Sequence, residues 1–334
     1  MNHPTRRTAL ARCTAALASA SLGAVLAAGA TAAHAQTWPE KPVRLISPYG
    51  AGGSNDISAR IIGEELGRRL GQQFNVENKP GAGTRLANEA VSRAAPDGST
   101  FLYAAAPFAI GEGLYGKLSY DIRKDFQPVT LTVLGPVFLV VNAESPFKTV
   151  ADLVAYGKAK SEGLTFASPG AGSGPHLAAE LLFKEAGVKG LNVHFRGDAT
   201  AYTELLAGRV DATLTAITGA LPHIQAGKLR VLGVASEERS PVYPSAPTMR
   251  EQGFPNVVGY GWFGFIAPAG TPARIVDRLQ VETNKILNDP ATRQRLIALG
   301  LQPRGGTPAE FSAFIESEVR KWTEVIKAAG IKAD

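Results

Sequence analysis

The stretch 43-VRLISPYGAGGSNDISARIIGEELGRRLG-71 contains three elements in series. The run 43-VRLISP-48 is short and apolar, the length of a buried strand. Ile57 and Ile61, then Ile62, Leu66 and Leu70, recur at helical spacing, and Gly71 stands where a helix commonly ends in a left-handed residue. Between them, 48-PYGAGGSND-56 holds three glycines and a serine. A strand-to-helix loop of that composition points consecutive main-chain N–H groups outward at a helix N-terminus, where the helix dipole also favours negative charge. The alternative is a tight turn chosen only for backbone angles that glycine adopts easily.

The same alternation continues outward. Strand 74-FNVEN-78, turn 79-KPGAG-83, a helix on Leu86, Ala90 and Ala94 stopped by Pro96, and strand 101-FLYAA-105 complete a β-α-β-α-β half-domain whose strand C-termini share one edge. The run 137-VFLVV-141 is expected to leave this lobe as a strand. Thr149, with Asp152 three residues on, caps a helix over 150–160. Strand 164-LTFAS-168, loop 169-PGAGSG-174, a helix over 175–186 closed by Gly187, and strand 193-VHF-195 follow. After 196-RGD-198 come a helix through Leu205 and Leu206, strand 210-VDATLT-215, a short helix near Ile224 and strand 229-LRVLGVA-235. The proline-rich 241-PVYPSAP-247 is a connector, and 262-WFGFIAP-268 an apolar strand going back. Thr271-Pro272, Asp289-Pro290 and the capping box Thr307-Pro308-Ala309-Glu310 start three closing helices, the last packing through Phe311, Phe314, Ile315, Val319 and Trp322. A strand, a Gly-rich loop and a helix thus occur once in each half, at 43–70 and 164–187. The pattern predicts an α/β protein with a ligand gripped between two loops, at the cleft usual for open α/β sheets.

The first 35 residues stand apart from the fold. Arg6, Arg7 and Arg12 precede an Ala- and Leu-rich stretch ending in Ala33-His34-Ala35, the pattern of a cleaved secretory signal peptide. The stretch is too rich in alanine for an anchor, and it carries a cleavage signature. A mature chain starting near Gln36 is expected outside the cytoplasm, exported by the Sec or the twin-arginine route. Cys13, the only cysteine, lies in this leader, which leaves the mature chain no disulfide and no cysteine-based metal site. Taking the three leader arginines from 35 basic residues leaves 32 against 29 acidic ones, a net +3 with no nucleic-acid stripe. None of the five histidines pairs with another at i, i+4, which counts against a zinc enzyme; no metal or cofactor is expected. About 299 mature residues exceed what one small core usually organises, so two lobes are expected.

Phosphate chemistry fails on detail. Neither 50-GAGGSN-55 nor 81-GAGTRL-86 completes G-x-G-x-x-G, and no loop carries the Gly-Lys-Ser/Thr of a P-loop. A serine hydrolase is the competing class, since Ser54 and Ser173 sit on strand-to-helix turns and His176 and Asp198 are present. Neither serine has glycine at both −2 and +2, as a nucleophile elbow requires. His176 reads as a structural hydrogen-bonder in the first turn of its helix, and Asp56 as a charge complementing the helix dipole. Arg196 and Asp198 are either a surface turn or a strand end facing the cleft. In the second case Arg196 could offer a fork to a carboxylate, while Asp198 receives a ligand amine or hydroxyl or holds Arg196. Tyr49 and Phe108 are cleft walls or core aromatics.

The series 38-WPEKPVRLISPYGAGGSNDISAR-60, 78-NKPGAGT-84, 95-APDGST-100, 118-LSYD-121 with 125-DFQPVT-130, 167-ASPGAGSGPHLAAELL-182, 208-GRVDA-212 with 222-PHIQAGKLRVL-232, and 262-WFGFIAPAGTP-272 resembles the Bug family, the TctC-like solute receptors of tripartite tricarboxylate transporters. The resemblance covers essentially the whole mature chain. It implies a periplasmic binding protein of type II-like fold, with two Rossmann-like lobes closing on small carboxylates such as di- and tricarboxylic, acidic amino or aromatic acids. It implies no enzymatic activity, a monomer, and delivery to membrane permease subunits of such a transporter or to a sensor kinase. The expected bounds are 37–142 with 250–334 for the first lobe and 143–249 for the second.

Carried onto this chain, the family's first binding loop is Tyr49 to Asp56, where the amides around Ala51, Gly52 and Gly53 and the Ser54 hydroxyl would hold a carboxylate, partly through water. The second is Ser168 to Ser173, including Gly170, Ala171 and Gly172, with His176 just beyond. The third is Arg196, Gly197, Asp198 and Ala199. The chain departs from the family at Ala171, where an amide side chain is common, and at Asp198, where a small residue is. It departs also at Phe108, and at Thr215 and Ala216, which replace an aspartate-asparagine pair. The carboxylate anchor survives these changes; which carboxylate it takes stays open.

Overall fold

Val43, Leu45 and Ile46 are buried because β1 (Val43–Ser47) lies between two parallel neighbours, β2 (Phe74–Asn78) and β3 (Thr100–Ala105). The computed structural model describes residues 38–170, 173–240 and 242–330, so the predicted leader lies outside it. Helix α1 (Ser54–Leu70) connects β1 to β2 and ends at Gly71 in the left-handed conformation (φ 74°), whose N–H bonds back to the Gly67 carbonyl. Helices α2 (Arg85–Ser92) and α3 (Pro107–Tyr115) flank β3.

Beyond β3 the sheet turns antiparallel. It pairs with β9 (Tyr260–Pro268), and β9 with β4, a strand of 17 residues from Phe126 to Asn142. Residues 126–136 of β4 pair with β9, and Leu134 and Val133 also pair with the two-residue β10 (Gln302–Pro303). From Val137 onward β4 changes partners to β7 (Ala212–Ala216) and β8 (Leu229–Val234), both antiparallel. Parallel strands β5 (Leu164–Ser168) and β6 (Gly190–His194) complete this second half, giving the order β2-β1-β3-β9-β4-β7-β5-β6 with β8 and β10 beside β4. The class is therefore α/β with two sheet halves sharing one strand.

The second half carries α4 (Val150–Ala159), α5 (Gly174–Ala186), α6 (Asp198–Leu206) and α7 (Leu221–Gln225). Thr149 and Asp152 form the full capping box of α4, and α5 ends at left-handed Gly187. Three helices close the chain: α8 (Ala273–Asn288), α9 (Pro290–Ala298) and α10 (Pro308–Ala329). Asp289 and Thr307 cap the last two as expected. Thr271 does not cap α8; its hydroxyl donates to the Pro268 carbonyl, and Pro272 occupies the N-cap. Among the described residues no helix is long and apolar enough to cross a membrane.

Some expected elements shift, each for a local reason. Strand β4 begins at Phe126 rather than Val137, and its first half was hidden by Pro128 and Pro136 and by two breaks in register against β9. Helix α2 stops at Ser92 and buries Ala87, Asn88 and Val91, leaving Leu86 49% exposed. Asn88 tolerates burial because its side-chain amide donates to the Tyr120 hydroxyl at 2.8 Å. Strand β6 starts at Gly190 and β7 at Ala212, each displaced toward the residues that pair with β5. One apolar core joins Ile46, Leu102 and Ile266 to Trp322 of α10, while two others fill both faces of the second half.

Candidate functional site

The loop after β1 is shaped by its own polar residues. Ser47 Oγ donates to Asn55 Oδ1 at 2.8 Å, and Asn55 Nδ2 donates to the Tyr103 carbonyl at 3.2 Å, tying the first turn of α1 to β1 and β3. Asp56 accepts from the Gly52 N–H at 3.0 Å, from Arg60 Nε at 3.0 Å and from Asn78 Nδ2 at 2.9 Å. Burial works to raise the Asp56 carboxyl, but these bonds outweigh it and hold the group below its ordinary range. Gly52 makes the turn at φ 84°, in the left-handed region; Gly53, the N-cap, is extended.

This loop touches the one that opens α6. The Gly50 N–H donates to the Arg196 carbonyl at 3.0 Å, an approach so close that a Cβ on Gly50 would stand 2.9 Å from that oxygen. Beside it the Asp198 carboxylate lies at the N-terminus of α1. Oδ2 accepts from Ser54 Oγ at 3.3 Å, and Oδ1 accepts from Thr215 Oγ1 at 3.1 Å. Thr215 Oγ1 is in turn 2.7 Å from the Tyr202 hydroxyl. Among the described residues no cation pairs with Asp198. Burial pushes its carboxyl above the ordinary range, with the bonds from Thr215 and Ser54 working against the rise.

A pH dependence follows. With a folded-state pKa above the unfolded one, Asp198 binds a proton more readily in the native state, so its contribution is most favourable below about pH 4 and is lost as pH rises through the folded value. Asparagine can keep the bond from Ser54 on its oxygen and reverse the one to Thr215, its amide donating to Oγ1 while the Thr215 hydroxyl donates to the Ala216 carbonyl, 3.2 Å away. The Asp198→Asn variant is expected to melt above the parent at neutral pH, and the gap is expected to close toward pH 4. Melting curves of both unliganded proteins across that range check it; a gap independent of pH removes Asp198 titration as its source.

The third wall is the start of α5. Ser173, its N-cap, accepts from the His176 N–H at 3.2 Å, and Gly174 packs so tightly on β9 that a Cβ there would lie 2.6 Å from the Tyr260 carbonyl. Between the three helix starts lies a small cavity of about 30 Å³, walled by Tyr49, Ser54, Ser173 and Asp198 and lined also by Trp262 and Phe263 of β9. Trp262 is 1% exposed and its Nε1–H has no acceptor. Burial raises the Tyr49 hydroxyl above its ordinary value, and the Asp198 charge adds to the rise. Three positive helix ends and an unpaired indole donor suit a bound acceptor group, while Asp198 presents the one opposing negative charge.

The other residues singled out in the sequence sit around this cavity or behind it. Ala51, Gly52 and Ala199 are exposed, and Gly53 packs against Asp198. Asp56 and Thr215 act on the loops rather than on the cavity. The Arg196 side chain is exposed, and it is the carbonyl that makes the contact with the first loop. Gly197 has φ 130°. Ser168 is fully buried with Oγ 2.6 Å from His194 Nδ1, Gly170 has φ 151°, and Ala171 and Gly172 lie outside the described residues. His176 is buried, its Nε2 3.6 Å from Glu180 and its ring edge-on to His194 at 4.6 Å. Phe108 is a core residue, edge-on to Phe126 at 5.0 Å under α3 and not among the residues that line the cavity. Trp262 has no counterpart among the residues expected from sequence, whereas Gly50 lies within the expected loop from Tyr49 to Asp56. Trp262 was taken as part of a returning strand, and only its indole nitrogen, a donor that needs an acceptor when buried, hinted otherwise. Among the described residues no group of three or more His, Cys, Asp or Glu could hold a metal ion.

The model of the tripartite tricarboxylate transporter family receptor matches residues 58–331. BugT of Bordetella pertussis (strain Tohama I) is 33% identical over 317 residues, covering 94% of this chain and 97% of BugT. Rpa4515 of R. palustris, solved with adipate, superposes with a TM-score of 0.86 at 32% identity, covering 88% of this chain and 99% of its own. MatC from Rhodopseudomonas palustris, solved with bound malate, gives 0.82 at 33% identity over 86% of this chain and 100% of its own. With the family model matched over residues 58–331, BugT matched over 94% of the chain, and the fold superposing on Rpa4515 and MatC, the chain belongs to the family of tripartite tricarboxylate transporter receptors.

Proposed function

We propose that this protein is a periplasmic receptor that closes two lobes over a small organic acid, performs no chemistry on it, and passes it to the membrane subunits of a tripartite transporter or to a sensor kinase. The observation that carries the reading is the meeting of two loops from opposite sheet halves, Gly50 to Arg196 and Ser54 to Asp198, beside a cavity lined by helix N-termini. The adipate and malate held by the related structures support a carboxylate. The two lobes are proposed as 37–142 with 250–334 and 143–249, which the change of β4 partners between Pro136 and Val137 and the start of β9 at Tyr260 support to within about ten residues. The leader, with its cleavage pattern, supports export to the periplasm; a monomer is the expected state.

A thermal-shift screen of the purified mature chain against organic acids tests the reading, since a ligand at 100 times its Kd adds about 2.7 kcal/mol of stability. Stabilisation by neutral sugars and by no acid overturns the ligand class. The Trp262→Phe variant is expected to bind the best acid about tenfold more weakly, because a charge-assisted hydrogen bond is lost, and to melt below the parent, because the smaller ring leaves a void beside Phe311 and Phe314. Equal affinity in calorimetry would take the indole N–H out of the site. A serine hydrolase is the competing class. Ser54 and Ser173 are engaged with Asp198 and the α5 backbone, and stoichiometric labelling of either by a fluorophosphonate would overturn the receptor reading.

A further inference from the structure

The N-terminus of α1 is where a ligand carboxylate is expected, and in this chain that seat is taken. Asp198 Oδ2 lies against the Ser54 hydroxyl, and a Cβ on Gly53 would meet the same oxygen at 3.3 Å. The carboxylate lines the cavity, is 9% exposed, and has no cation among the described residues. A buried, uncompensated charge is costly, and proteins keep such groups paired. Trp262 also lines the cavity, and its buried Nε1–H is a donor without an acceptor. The lining thus includes an uncompensated acceptor charge at Asp198 and, at Trp262, a residue with an unmet donor.

We infer that Asp198 is the specificity-determining residue of this receptor and selects an amino-bearing monocarboxylate, its ammonium group against Asp198 and its carboxylate toward Trp262 and the start of α5. This rests on the reading of the chain as a receptor for small carboxylates and narrows it. A dicarboxylate, whose second charge would face Asp198, is excluded by like-charge repulsion in a site where water screens little. Thr215, itself tied to the Tyr202 hydroxyl, holds Oδ1 from behind, so the carboxylate keeps one orientation whether or not the ligand is present.

The test uses the mature chain and matched probes in which one carboxylate is exchanged for an ammonium: straight-chain amino acids from 3-aminopropanoate to 6-aminohexanoate, the α-amino acids of similar size, and the dicarboxylates from malonate to adipate. At least one amino acid is expected to raise the melting temperature and bind in calorimetry, with its matched dicarboxylate weaker. In Asp198→Asn and Asp198→Ser, two variants that retain a polar group there, that amino acid is expected to lose roughly thirtyfold or more, as loss of a buried charge partner does. The preference between matched probes is expected to narrow or reverse. A dicarboxylate that binds the parent as well as its amino partner, with a ratio unmoved in both variants, overturns this inference while leaving the carboxylate receptor intact. Binding of neither series, with neutral sugars binding instead, overturns both; silence from every amino acid overturns the inference whatever the dicarboxylates do.

Discussion

The Gly50→Val variant is expected to keep the fold and lose the ligand. Gly50 approaches the Arg196 carbonyl so closely that a Cβ would stand 2.9 Å from a main-chain oxygen, which cannot rotate away as a side chain could. The residue is half-buried and its backbone is not in the left-handed region, so valine strains nothing within its own sheet half. The clash falls on the contact between the two loops, and forcing such overlap into a packed contact costs about 1–3 kcal/mol. Charged to closure alone, that is roughly a 10- to 100-fold loss of affinity. The expected result is a weaker Kd for whichever acid the parent binds, with the unliganded melting temperature nearly unchanged. An unchanged Kd would mean that the loops do not meet in the bound state.

The opposite pattern is expected at Gly264. There a Cβ would lie 2.3 Å from the Phe311 ring and 2.8 Å from the Thr130 carbonyl, trapped between β4 and α10 in the middle of the sheet. Both neighbours are fixed, the ring by Trp262 at 5.7 Å edge-on and the carbonyl by the strand. Gly264→Ala is therefore expected to destabilise the protein by about 3 kcal/mol, the upper end for one added methyl group in a packed interior. Urea unfolding of the two proteins reads it directly. A loss under about 1 kcal/mol would mean that α10 can slide outward on the sheet at small cost.

Much of this architecture was legible because its elements are locally consistent. The strand Val43–Ser47, the helix closed by Gly71, and the capping boxes at Thr149 and Thr307 are each specified within a few residues, and each stands where the spacing put it. What was not legible depends on partners distant in sequence. Prolines and a glycine broke the pattern of β4 before Val137, yet its pairing with β9, more than a hundred residues on, makes it one strand. Phe108 could have been wall or core, and Phe126 decides for the core. Asp198 follows Arg196 by two residues in a turn, a spacing that suggested an ion pair. The structure instead turns the aspartate inward onto Ser54, a residue 144 positions earlier, and leaves the arginine outside. Short-range rules predict the frame, and contacts across the cleft set the identity of the pocket.

The core that unites Ile46 and Leu102 with Trp322 has a consequence for the order in which the chain can be assembled. Residues from Val137 to Val257 contain the apolar contacts of the second half, so that half can condense while synthesis is still under way. The first half has its strands early and its covering helix last. Until α10 leaves the ribosome, α3, β4 and β9 lack the side chains of Phe311, Ile315, Val319 and Trp322 that complete their shared core. A chain cut before Pro308 is expected to give a protected carboxyl-side body joined to a protease-sensitive amino-terminal one. A helix made late is thus a lock on strands made long before it.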